Sequence, residues 1–181
     1  MGDFEHAPEL TRIVKAKGLP AEPVLVEADA AERAALAKRF GLPGVDSLRA
    51  QIDLEQRGRS IRATGTLNAA IRQSCAISGE DFPAMIEETL DFRFVERRTN
   101  SPNEDENAEI EVELDADDCD EIEYAGDAFD LGEAIAQSLG LAIDPYAEGP
   151  NADQARKNAG ILAEGEQEGP LAAALSVLKK T

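Results

Sequence analysis

Aromatic residues make up only 4% of the 181-residue chain and tryptophan is absent. Few large rings are therefore at hand to stack on bases or to anchor in a membrane interface. No apolar run approaches the roughly 20 residues needed to span a bilayer. The opening MGDFEHAPEL lacks the basic and apolar regions of a signal peptide. Met1-Gly2 is followed by acidic residues, which argues against a lipidation signal. Two isolated cysteines, Cys75 and Cys119, are too few for a disulfide framework. A cytoplasmic location is expected from these absences.

Catalytic parts are equally scarce. His6 is the only histidine, so a His-based triad has nothing to build on. Gly41 and Gly44 flank Pro43 and precede no Lys-Ser/Thr pair, which excludes a phosphate-binding loop of the usual kind. Asp117, Asp118 and Asp120 lack the glycine and terminal glutamate of a calcium loop. Cys75 enters a turn in which Ser78 stands where the second cysteine of a zinc-binding Cys-x-x-Cys would be. A packed, inert thiol is the simpler reading of Cys75. Cys119 lies in an acidic run, which raises a thiol pKa. No catalytic residue, metal ligand or cofactor is assigned, and an enzyme is not expected.

What the chain has in excess is negative charge, at a formal net −19. Residues 1–100 carry 14 Lys/Arg against 16 Asp/Glu, net −2, whereas residues 101–181 carry 4 against 21, net −17. Residues 104–130 contain fourteen acids and no base. Such a field repels phosphate backbones, whose binding rests on Lys/Arg displacing counterions. It attracts basic proteins and speeds their encounter. The plain alternative is a solvated connector, and residues 99–108 read best that way.

Hydropathy patterning supplies the elements. Short strands are predicted at 11–16 and 23–27. A helix is predicted at 29–40, opened by Asp29 and Glu32 in a capping-box spacing and closed by Gly41. Leu48, Ala50, Ile52 and Leu54 alternate with polar residues, as do Ile61, Ala63, Gly65, Leu67, Ala69 and Ile71. Gly65 marks a candidate bend or bulge in that long strand. A third strand runs over 84–97, with Glu88 as a charged exception on its apolar parity. Short turns at 57–59 and 78–81 imply an antiparallel meander. Two acidic edge strands follow, carrying Glu109, Glu111 and Glu113, then Glu121 and Glu123. Asp130 caps a helix with Leu131, Ile135 and Leu139 on one face, a stripe extended through Leu141 and Ile143.

The expected fold is therefore α+β: an antiparallel sheet, as a meander or a partly closed barrel, covered by one or two helices, with a flexible acidic loop and a C-terminal tail. Residues 1–145 form a single domain, 146–170 a flexible linker, and 171–181 a short amphipathic helix. Two surfaces are candidates for binding. Glu109, Glu111, Glu113, Asp117, Asp118, Glu121 and Glu123 would hold a basic protein. Arg49, Arg57, Arg59, Arg62 and Arg72, on or beside the outward parity of the first two long strands, would contact RNA; a solvated face with scattered salt bridges is the plainer reading.

Three stretches in order resemble the YceD family, the bacterial large ribosomal RNA subunit accumulation proteins. They are Gly65-Thr66-Leu67 through Cys75-Ala76-Ile77-Ser78-Gly79-Glu80-Asp81-Phe82; Asp130-Leu131-Gly132-Glu133-Ala134-Ile135 through Asp144-Pro145-Tyr146; and Gly169-Pro170-Leu171 through Leu178-Lys179. Arg39-Phe40-Gly41 is similar to the alphaproteobacterial branch. The resemblance marks Cys75, Asp130, Leu131, Glu133 and Pro145 as motif residues. It implies a factor supporting accumulation or processing of 23S rRNA, and the charge asymmetry adds a basic ribosomal protein or assembly factor as the expected partner. Direct rRNA binding is the alternative, and a metal-dependent rRNA hydrolase the remote one. Ser78 in place of the second cysteine means that a zinc role does not carry over.

Overall fold

The computed structural model describes residues 9–97 and 120–161. The loop at 99–108, the strand at 109–114 and the helix at 171–181 fall outside them. The chain divides into two compact units: Met1–Arg72 with Pro83–Asp144, and Gln73–Phe82 with Pro145–Thr181.

The first unit is built on a five-stranded sheet. Strands β1 (Ile13–Lys15) and β2 (Val24–Glu27) precede helix α1 (Ala30–Phe40). Three long strands follow, β3 (Gly44–Arg57), β4 (Ser60–Ser74) and β5 (Asp81–Glu96), and then β6 (Asp120–Tyr124), β7 (Ala128–Asp130) and helix α2 (Leu131–Ala142). The sheet order is β2-β3-β4-β5-β6, with β1 and β7 paired separately. It is open, with β2 and β6 at its edges, so the meander form holds and no barrel closes. β2 and β4 run antiparallel to β3. β6 runs parallel to β5, which requires a long crossover; the 23 residues between Glu96 and Asp120 supply it.

Local chemistry sets the boundaries. Asp29 accepts the Glu32 N–H while the Glu32 carboxylate accepts the Asp29 N–H, both at 2.8 Å, the reciprocal cap its spacing predicts. Gly41 ends α1 in the left-handed region at φ 64°. Between β3 and β4 the alternation places Leu48, Ala50, Ile52, Ile61, Ala63, Leu67, Ala69 and Ile71 in the core. α1 contributes Leu36, and α2 contributes Leu131, Ile135 and Leu139, to that same core. Each such leucine or isoleucine side chain stabilises the fold by about 1.5–3 kcal/mol when fully buried.

Two local expectations are corrected. In the β3–β4 pairing the register shift lies between Val45 and Ser47, not at Gly65. Gly65 opposes Ile52 in register, and a Cβ there would stand 1.9 Å from the Gln51 carbonyl oxygen, so glycine is required by close backbone approach. Leu141 does not continue the α2 stripe: it is 83% exposed, because two residues beyond Leu139 a helix has turned to its far side. Ile143 does pack against the core. Glu88 is exposed, so its charge on the apolar parity is solvated.

The second unit holds the Cys75 turn and helix α3 (Ala152–Asn158), which forms inside the stretch expected to be a linker. The Ala76 N–H donates to the Ala147 carbonyl at 3.0 Å, and Asn151 donates to the Glu80 carboxylate at 2.7 Å. Gly79, at φ 71°, makes the turn.

Candidate functional site

The arginine surface is charge-balanced. Arg49 pairs with Glu27 at 3.0 Å, Arg57 with Glu55 at 2.8 Å, and Arg72 with Asp46 at 2.8 Å. Arg62 grips Asp91 with two hydrogen bonds, at 3.0 and 2.7 Å. That grip holds the Asp91 carboxyl below its usual pKa, with Arg93 adding to the pull against the cost of partial burial. Of the five, Arg59 alone has no ion pair among the described residues. It lines a broad, open cleft of about 1700 Å³ in the first unit, together with Lys17, Arg97, Glu55, Glu96 and Asp127. Arg72 lies opposite Gly44 and Arg57 beside the far turn. Thirteen residues of β3 separate those ends, roughly 40 Å at ordinary strand rise. The sheet therefore does not gather the five arginines into one patch.

The acidic residues divide in two. Glu109, Glu111, Glu113, Asp117 and Asp118 lie outside the described residues. Glu121 and Glu123 stand on the outward parity of β6, as their alternation predicts, while Ile122 and Tyr124 pack inward. Glu121 meets Arg93 at 3.4 Å and Glu123 meets Arg97 at 3.0 Å. The Tyr124 hydroxyl is pushed above its usual pKa by burial and by Glu96. Its ring packs on Phe129 at 5.7 Å, and Phe129 in turn stacks on Phe94 at 4.2 Å.

The motif Asp130-Leu131-Gly132-Glu133 forms a clasp. One Asp130 carboxylate oxygen accepts N–H groups from Gly132 at 2.9 Å, Glu133 at 3.3 Å and Arg12 at 2.8 Å. It thus caps α2 and ties down the N-terminal segment at one point. Leu131 is fully buried, and its N–H donates to the Arg12 carbonyl at 3.0 Å. A Cβ on Gly132 would meet the Leu10 oxygen at 2.6 Å and the Arg12 nitrogen at 2.7 Å. Glu133 receives both guanidinium nitrogens of Arg39, at 3.0 and 2.9 Å. Its carboxyl is accordingly held below the usual range, mainly by Arg39 and further by Gln137. Gly140 completes the contact, since a Cβ there would reach the Phe40 ring at 2.6 Å. The sequence reading missed Arg12, Gly132 and Gly140. Two glycines inside one helix, each costing about 1 kcal/mol against alanine, are the signal that marks such close packing.

In the second unit the Cys75 sulfur is nearly buried and accepts N–H groups from Ile77 at 3.4 Å and Ser78 at 3.3 Å. The Ser78 hydroxyl is the largest influence lowering the thiol pKa to about 7, followed by the Ser78 and Gly149 backbone amides. The turn so forms a small nest for a thiolate. Among the described residues no three His, Cys, Asp or Glu side chains come together to hold a metal ion. Pro145 follows Asp144, beyond the end of α2.

A family model described as large ribosomal RNA subunit accumulation protein YceD matches residues 63–179, roughly two thirds of the chain. The chain belongs to the YceD family. The match takes in the Cys75 turn, the clasp at 130–133 and the C-terminal stretch, all three of the stretches on which the resemblance rested. No curated protein and no solved structure matches the chain. YceD membership carries a role in the accumulation of large-subunit rRNA. Among the described residues no helix is long and apolar enough to cross a membrane.

Proposed function

We propose that this YceD-family chain supports 23S rRNA accumulation as a non-catalytic, cytoplasmic accessory factor that holds a basic ribosomal protein or assembly factor. The observation that carries this reading is the concentration of charge: fourteen acids and no base in residues 104–130. A nascent basic protein gathers on polyanions indiscriminately, and an acidic surface competes for it until the proper RNA site is available. Direct rRNA contact through the arginine face is weaker on physical grounds. Four of its five arginines already have carboxylate partners at 2.7–3.0 Å, and each would have to break that pairing to reach a phosphate.

Charge reversal tests the reading. A variant with Glu109, Glu111, Glu113, Glu121 and Glu123 changed to Lys is compared with the unsubstituted chain in affinity purification. The expected result is recovery of a basic large-subunit protein by the unsubstituted chain and its loss with the variant, under conditions where circular dichroism shows both chains folded. Equal recovery by both chains would overturn the reading.

A further inference from the structure

We draw no further inference here: the strongest candidate, the broad cleft of the first unit between Lys17, Arg59, Arg97, Glu55, Glu96 and Asp127, sets cations and carboxylates in balance and ends at Arg97, where the described residues break off, so nothing in the structure shows what covers it or which ligand it would select.

Discussion

A cysteine with no partner cysteine still has organised surroundings here. The Cys75 sulfur collects the N–H groups of Ile77 and Ser78, and the Ser78 hydroxyl does most to bring its pKa down to about 7 from the usual 9. Ionisation is thus easier in the folded chain than in the unfolded one. The thiolate adds stability fully above pH 9, and that contribution is lost as pH falls through about 7. Thiolate absorbance, taken as the difference between the unsubstituted chain and Cys75→Ser, should show a midpoint near 7. Ser78→Ala should move that midpoint upward, because the principal hydrogen bond to the sulfur is gone. An ordinary midpoint near 9 in the unsubstituted chain would contradict this account of the turn.

Among the elements, α1 and α2 are joined by side chains far apart in sequence. The Arg39–Glu133 pair spans 94 residues and lies over the Phe40–Gly140 contact. Arg39 also reaches Glu9 at 2.9 Å, and its guanidinium lies 5.4 Å from the Phe40 ring centre. Arg39→Met keeps the aliphatic stem but removes the charge, and should cost about 0.5–1 kcal/mol at neutral pH. Glu133 has a lowered pKa in the folded state, so the pair's contribution is complete above the ordinary value of 4.5 and fades as pH falls through the lowered one. Thermal unfolding as a function of pH should show the two chains separated at neutral pH and converging in acid. A gap that persists in acid would assign the effect to packing instead.

The elements differ in how legible they were. The cap of α1 could be read from Asp29, Glu32 and Gly41, because cap chemistry is settled within a few residues. The same holds for the β3–β4 hairpin, whose alternation and Gly58 turn are local. What stayed hidden depends on distant partners. The parallel pairing of β6 follows a long crossover, and the need for glycine at 132 and 140 comes from Leu10, Arg12 and Phe40. The arginines were visible as a parity pattern, but their neutralisation by Glu27, Asp46, Glu55 and Asp91 required the register and the tertiary contacts. Helix α3 is seven polar and small residues, too short and too weakly patterned to announce itself.

For the whole molecule, the arginines at 49, 57, 62 and 72 are matched by carboxylates, and the surplus of negative charge lies in residues 101–181 at net −17. A surplus of that sign favours a cationic partner and opposes RNA. Because such an attraction is long-ranged and screened by salt, the complex should form fast and weaken as ionic strength rises. The family role gives a cellular readout for this claim. The most direct test restores a strain lacking this protein with three versions and measures its 23S rRNA level. These are the unsubstituted chain, the Lys-for-Glu variant at 109, 111, 113, 121 and 123, and a variant with Arg49, Arg57, Arg59, Arg62 and Arg72 changed to Gln. The account predicts that the glutamine variant restores 23S rRNA and the lysine variant does not, with both folded and equally abundant. Restoration by the lysine variant together with failure of the glutamine variant would contradict it.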